Sequence, residues 1–131
     1  MSFLAKINID DDEMNVLDCN FSFEQGADYT GRPSQKPKGG QITVLLESTG
    51  NTDFLEWAIS SSMSKDGKIT FYKRDNLSSL KTLEFKEAYC LKYTEDFNAV
   101  DSQPLKTRIV ISAKEISMKG TTFTNNWPAK M

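Results

Sequence analysis

The amino-acid sequence predicts a mainly β protein, in which about seven or eight antiparallel strands and one α-helix form a barrel or a sandwich. Apolar and polar side chains alternate with a period of two along most of the chain, as they do on strands with one face in a core. Short polar segments separate these stretches, which predicts tight turns between consecutive strands. Only one stretch has helical spacing. A closed barrel or a double-layered sheet protects the edges of so many strands, which favours these two architectures.

The first three strands are predicted at 3–10, 14–24 and 41–48. The first carries its apolar face at Phe3, Ala5, Ile7 and Ile9, and the second at Leu17, Cys19, Phe21 and Phe23. The acidic run at 10–13 is interpreted as a hairpin turn, because the glycine and the distant glutamate of a calcium-binding loop are missing. The third strand is apolar on both faces in its middle, which predicts a central position.

The segment 52–63 is the predicted helix. Asp53 and Glu56 lie three residues apart at its start, as in a capping box. The residues predicted to face the core follow helical spacing, and they are Leu55, Ala58, Ile59 and Met63, with Phe54 and Trp57 flanking them. The dipeptide Asp66-Gly67 is a strong turn signal and ends this region.

Four further strands are predicted after this turn. The first is at 68–74, the second is a long segment that includes 83–97, the third lies within 102–120, and the last is a short stretch near the end of the chain. The long segment has its apolar side chains at odd positions, which are Leu83, Phe85, Tyr89, Leu91, Tyr93 and Phe97. Strict alternation therefore predicts that Cys90 lies on the opposite face. No repeat, low-complexity tail or linker divides the chain, so 1–131 is predicted to be a single domain.

The stretch Gly26–Gly40 differs from the rest of the chain. It contains four of the seven glycines, two of the four prolines and the cations Arg32, Lys36 and Lys38. A structureless loop of this length is usually functional or disordered. Three interpretations are open: a grip on phosphate or nucleic acid, a flexible insertion, and an arm that docks on a protein. Docking is favoured, because prolines reduce the entropy lost on binding and because the context of a phosphate-binding loop is missing.

Composition excludes several classes of protein. The chain has 131 residues, a net charge of −2 and no histidine. The absence of histidine excludes histidine-dependent catalytic triads and histidine-ligated zinc. The two cysteines, Cys19 and Cys90, are too few for a disulfide scaffold and are expected to be buried or half-buried free thiols. No cofactor or metal is expected.

Membrane insertion and a secretory signal peptide are not expected either. The apolar runs of the chain, such as 44–46, are far too short to cross a bilayer. The first residues, "MSFLAKINIDDDEM", lack the basic start and the apolar stretch of a signal peptide. Nucleic-acid binding would need a strongly local basic patch, because the chain as a whole does not attract phosphate.

Two other functions remain open on the residues alone. One is a stand-alone small barrel that binds an apolar ligand or an oligonucleotide, which the 11% aromatic content supports. In "FYKRD", however, Phe71 and Tyr72 point to opposite faces of a strand and form no stacking platform. The other is a hydrolase that uses carboxylates, but no pair among the eighteen acidic residues is marked out. An enzyme is therefore not expected.

A family resemblance runs along nearly the whole chain. Its motifs are "MSFLAKI" at the start, "TGRPSQKPKGG" at 30–40, "LESTGNTDFLEWAISSSM" at 46–63, "ITFYKRD" at 69–75, "EAYCLKYTEDFNA" at 87–99, "SQPL" at 102–105 and "NNW" at 125–127. In this order and spacing they resemble the type VI secretion tube proteins of Bacteroidota, which are the TssD branch of the haemolysin-coregulated protein (Hcp) family.

The resemblance implies an Hcp-like β-barrel with one helix, six copies of which close into a ring. Rings stack into an inner tube, and a contractile sheath drives this tube, with a spike at its tip and effector proteins in its lumen, into a neighbouring cell. The protein would be cytoplasmic in the producing cell and exported by the secretion system without a signal peptide. Some members carry a toxin domain after the barrel; this sequence ends at Met131, so a purely structural role is expected.

The resemblance also implies a role for the loop at 26–40, because the loop between the second and third strands of such proteins reaches toward an adjacent ring. Arg32, Lys36 and Lys38 are the predicted electrostatic contacts to acidic groups of the next ring. Tyr29 and Pro33 are the predicted rigid apolar contacts of this ring-stacking interface. The helix is predicted to pack on the core and to contact the lateral neighbour within a ring.

Overall fold

The computed structural model describes residues 3–47, 52–73, 78–101, 105–125 and 127. The described residues form seven strands and one short helix, which confirms the prediction of a mainly β fold. In chain order these are β1 (Phe3–Ile9), β2 (Asp12–Phe21), β3 (Gln41–Glu47), α1 (Phe54–Ile59), β4 (Lys65–Lys73), β5 (Ser79–Phe97), β6 (Leu105–Met118) and β7 (Thr121–Thr124).

The sheet closes into an antiparallel barrel, which decides between the two predicted architectures. Six strands follow one another in the order β3-β2-β1-β4-β5-β6, and β3 pairs with β6 to close the ring of strands. Ile42 lies opposite Ile111 and Val44 opposite Ile109 across this closing pair. The strand β7 extends the sheet beyond β3 by pairing with the last residues of β6. Closure leaves most strands without an exposed edge.

The interior of the barrel is filled by apolar side chains from every strand of the closed sheet. The fully buried residues include Ile7, Ile9, Ile42, Val44, Leu46, Ile69, Leu83, Phe85, Ile109 and Ile111. The alternation predicted for β1 is therefore confirmed at Ile7 and Ile9. In β3 only one face is buried, while Thr43 and Leu45 on the other face are half-buried. β3 is paired on both sides, by β2 and β6, as expected for a central strand.

An extra residue in β2 changes the phase of its side chains. Val16 pairs with Leu46 and Asp18 pairs with Leu45, so Leu17 has no partner in the register. A bulge of this kind shifts every following side chain to the other face. Val16, before the bulge, packs on the core, and beyond the bulge the odd-numbered Cys19 and Phe21 do so instead. The prediction that Leu17 shares their face is wrong, because strict alternation ignores the bulge.

The long strand β5 also changes phase. Leu83 and Phe85 are buried, but so are Ala88 and Cys90, while Leu91 is exposed. Between the two buried pairs, Glu87 has a φ of 51°, in the left-handed region. Its backbone N–H donates to Oδ1 of Asp66 at 2.8 Å, which stabilises the kink. The prediction that Cys90 lies away from the core is therefore wrong, and Tyr89 and Leu91 do not share the face of Leu83.

The helix α1 is shorter than predicted and turned about its axis. It begins after Asp53, whose Oδ1 accepts the N–H of Glu56 at 2.9 Å, as a capping residue should. It ends at Ile59, and the hydroxyl of the following Ser60 accepts the N–H groups of Ser62 and Met63 and so competes with further helical turns.

The core-facing residues of α1 were partly mispredicted. Phe54 and Trp57 are the buried residues, and the half-buried Ala58 and Met63 pack against the core as predicted. Leu55 and Ile59 are 56% and 76% exposed, so their assignment to the core is wrong. The physical reason is that a six-residue helix presents one narrow face, and burial of two aromatic rings removes more apolar area from water than burial of two aliphatic side chains.

Trp57 connects α1 to the barrel. Its Nε1 donates to the carbonyl oxygen of Ala88 at 3.1 Å, at the point where the pairing of β4 with β5 stops. Phe54 stacks on Trp57 and on Tyr93 of β5, with centroid separations of 6.5 and 6.2 Å. The helix therefore covers the part of β5 beyond Ala88, which β4 no longer pairs with.

Cys19 and Cys90 are free thiols, half-buried and buried respectively, as expected. Burial raises the pKa of Cys19 to about 11, so this thiol remains protonated and unreactive at neutral pH. Among the described residues, no helix is long and apolar enough to cross a membrane.

Candidate assembly interface

The segment 26–40 is an ordered hairpin that continues β2 and β3 out of the barrel. The backbone groups of Glu24 and Lys38 exchange hydrogen bonds of 2.9 and 2.8 Å, and Ala27 bridges Pro33. The expectation of a structureless loop is wrong, because the antiparallel pairing of β2 with β3 extends into the segment. The residues 24–38 that project from the barrel are called the arm below.

The tip of the arm is held by Asp28. Its Oδ1 accepts the N–H of Thr30 at 2.9 Å, the hydroxyl of Thr30 at 2.6 Å and the N–H of Arg32 at 3.2 Å. These hydrogen bonds favour the charged carboxylate and lower the pKa of Asp28 below its ordinary value. The turn is therefore formed before any partner binds, which reduces the entropy that docking costs.

All five residues of the predicted ring-stacking interface lie on this arm and are exposed: Tyr29, Arg32, Pro33, Lys36 and Lys38. Tyr29 is 100% exposed at the tip. Within the described part of the chain, no salt bridge involves the three cations. The fold thus presents an aromatic ring, a proline and three positive charges on one projecting element. Their role in stacking stays a prediction.

A cluster of packed and hydrogen-bonded residues holds the base of the arm where it leaves the barrel. We call Phe23, Gly39, Gly40, Phe123 and Asn125 the arm root. The ring of Phe23 packs edge-to-face on Phe123 at 5.1 Å. Nδ2 of Asn125 donates to the carbonyl oxygens of Ala113 and Gly39, at 2.9 and 3.3 Å.

Sequence reasoning missed the arm root. The signals in the sequence were the two adjacent glycines that follow the arm and the polar residues that follow the last strand. At Gly40 the φ of 98° and the proximity of Asn125 and Ala113 explain why a residue without a Cβ is needed.

Replacing Gly40 with alanine is expected to reduce the free energy of unfolding by about 2–4 kcal/mol, from the left-handed backbone and the displaced side chain of Asn125. The new Cβ would overlap Nδ2 of Asn125 and lie 3.0 Å from the carbonyl oxygen of Ala113. Gly31→Ala is the matched control, because Gly31 has a φ of 91° but no atom within 4 Å of its Cβ position. Equal losses in urea unfolding of the two variants would contradict the steric argument.

The opposite end of the barrel carries negative charge. A groove between the β1–β2 turn and α1 is lined by Asp10, Asp11, Asp12, Asp53, Glu56 and the single cation Lys65, with Ile9 and Thr52. Nζ of Lys65 lies 2.7 Å from Oδ2 of Asp10, and the hydroxyl of Thr52 donates to Asp12 at 2.6 Å. This end is called the acidic pole. The acidic run forms a turn as predicted, and the described residues include no group of three or more side chains placed to hold a metal ion.

The arm and the acidic pole are separated by the length of β2. This strand has ten residues, with the acidic turn at its start and the arm at its end. At about 3.3 Å per residue the separation is roughly 33 Å. The molecule thus has a positive projection at one end and a negative surface at the other. The interior of the barrel is filled by apolar side chains, so the charged surfaces at its two ends are the candidate sites for a partner.

The chain belongs to the TssD family. The family model described as hemolysin coregulated protein Hcp (TssD) matches residues 1–128. The comparison with curated proteins finds no match.

Solved structures agree with this assignment. Hcp1 from Flavobacterium johnsoniae is 39% identical and superposes with a TM-score of 0.85, covering 93% of this chain and 99% of its own. Hcp1 from Salmonella typhimurium shares the fold at 12% identity, with a TM-score of 0.73 and coverage of 95% and 93%. The tube–sheath complex of an extracellular contractile injection system shares it at 18% identity, with a TM-score of 0.53 and coverage of 89% and 88%. The predicted family, the Hcp-like barrel and the role as a structural tube subunit are confirmed.

Proposed function

We propose that this chain builds the inner tube of a type VI secretion system as hexameric rings that stack through the arm. The single observation that carries the proposal is the arm itself, an ordered hairpin with an exposed aromatic tip and three cations that form no salt bridge within the described residues. A second copy that binds the arm would bury it.

Two different interfaces are needed for this assembly. Within a ring, one face of a subunit meets a different face of the next, with a rotation that closes after six copies. Between rings, a second head-to-tail contact repeats without closing, which produces a tube. The chemistry of the arm suits the second contact, because charged and aromatic groups bind through polar and apolar contacts without leaving a large apolar patch on the free ring.

The remaining partners follow from the same proposal. A contractile sheath would surround the tube, a spike would cap it, and effector proteins would travel in its lumen. The chain would assemble in the cytoplasm of the producing cell and leave it through the secretion machine. No cofactor or nucleic acid takes part in these steps.

The mass of the purified protein tests the proposal. A ring of six copies has a mass of about 89 kDa, six times the 14.8 kDa of one chain. We expect this mass in sedimentation or native mass spectrometry, and annular particles by electron microscopy. A strictly monomeric protein at high concentration, without annular particles, would exclude the tube and favour the alternative of a stand-alone binding barrel.

A further inference from the structure

We propose that the acidic pole is the surface that receives the arm of a second copy of this chain. This inference rests on the proposed role of the arm in stacking. The surface that would bind the arm, called the acceptor face, consists of the outer face of α1, the adjoining acidic turn and the end of the β5–β6 hairpin. The residues of this acceptor face are Asp11, Leu55, Glu56, Ile59, Phe97 and Leu105.

Exposed apolar side chains concentrate at this end of the barrel. Leu55 and Ile59 lie four residues apart on α1, so they project from neighbouring positions of one helix surface. Phe97 is 71% exposed and pairs across the strands with Leu105, which is also exposed. Single exposed apolar residues are ordinary, but apolar residues from two elements at one end of a small barrel indicate a contact surface.

The topology places these elements at the same end. β1 ends at Ile9, opposite Gly67 near the start of β4, and β5 runs antiparallel to β4. The β1–β2 turn and the end of β5 therefore lie at one end of the barrel, and the arm leaves from the other. Phe54 of α1 stacks on Tyr93, and Phe97 follows four residues later in β5. The face covered by α1 thus continues toward Phe97.

The charge of the acceptor face complements that of the arm. The acidic groove beside α1 is lined by five carboxylates and one lysine. The arm has three cations and two acids, Glu24 and Asp28, so its net charge is +1, and Tyr29 and Pro33 are its apolar groups. The cations of the arm can therefore pair with the carboxylates of the acidic groove, and its apolar groups can pack on the exposed apolar side chains of the acceptor face. Because donor and acceptor lie at opposite ends, the contact repeats along an axis without limit, as a tube requires.

Charge reversal on both sides tests this pairing in the full-length protein. The arm variant carries R32E, K36E and K38E, and the acceptor variant carries D11K and E56K; Asp11 and Glu56 are both exposed. Under conditions in which wild-type rings stack, each variant alone is expected to reduce the pelleted fraction of stacked rings by about tenfold or more while the ring mass stays unchanged. A chain with all five changes is expected to recover to within about threefold of wild type, since opposite charges again face each other.

The matched control reverses an exposed acid of the strand β2 that lines neither the acidic groove nor the arm, as D18K, and is expected to stack like wild type. Failure of the acceptor variant to form rings would overturn the inference, because the face would then belong to the lateral neighbour. Unchanged stacking of the acceptor variant, or no recovery in the five-residue variant, would overturn it as well. The proposed role of the arm is tested separately by deleting the arm, so the two failures are distinguishable.

Discussion

Chains that lack residues 29–38 are expected to form rings but no tubes. The deletion removes the aromatic tip, both prolines and all three cations, while the barrel and the arm root remain. No core residue lies in the deleted segment, so the ring mass and the unfolding midpoint are expected to stay close to those of the wild type. The measurement is electron microscopy of concentrated protein, with sedimentation to quantify stacks.

A replacement of equal length separates the chemistry of the arm from its reach. Residues 29–38 are exchanged for ten glycine and serine residues, which keep the length but remove the charges, the prolines and Tyr29. This variant is expected to stack as poorly as the deletion. Loss of rings in either variant would show that the arm belongs to the lateral interface, and normal tubes would show that it has no role in assembly.

Trp57→Ala is expected to reduce the free energy of unfolding by about 3–5 kcal/mol, because it removes the largest buried side chain and leaves a cavity in the core. The carbonyl oxygen of Ala88 also loses its hydrogen bond to Nε1. A loss of this size is a large fraction of the total stability of a small domain. Urea unfolding followed by circular dichroism at one protein concentration measures it, since self-association would couple stability to concentration.

Two further variants divide this loss into its parts. Trp57→Phe keeps most of the ring packing and is expected to cost about 1–2 kcal/mol through the lost hydrogen bond. Leu55→Ala, two residues away on the exposed side of α1, is expected to change the free energy of unfolding by less than about 0.5 kcal/mol. If Leu55→Ala cost as much as Trp57→Ala, the orientation of the helix described here would be contradicted.

Local patterns were reliable wherever one face of a regular strand is buried. In β1 the alternation alone identified the core residues Ile7 and Ile9, which are fully buried. The acidic run at 10–13 was identified as a turn, and Asp53 as the cap of the helix. These features depend on neighbours within a few residues, so the sequence expresses them directly.

The predictions of buried faces were wrong where a backbone irregularity, or packing against a residue distant in sequence, decides which face is buried. The extra residue at Leu17 and the left-handed backbone at Glu87 each shift the phase of a strand, and only pairing with the neighbouring strands reveals them. The core face of α1 depends on the packing of Trp57 and Phe54 against β5, far along the chain. Helical spacing alone does not distinguish that face from the one that carries Leu55.

By itself the sequence determined the fold class, the order of the elements, the family and the existence of a cationic arm. The tertiary structure alone decided that the arm is an ordered hairpin, that Phe123 and Asn125 hold its base, and that the acidic turn lies at the opposite end. The physical reason is that strand pairing joins residues that are far apart in sequence. The directions in which charges and apolar side chains face a second copy become defined only when the barrel closes.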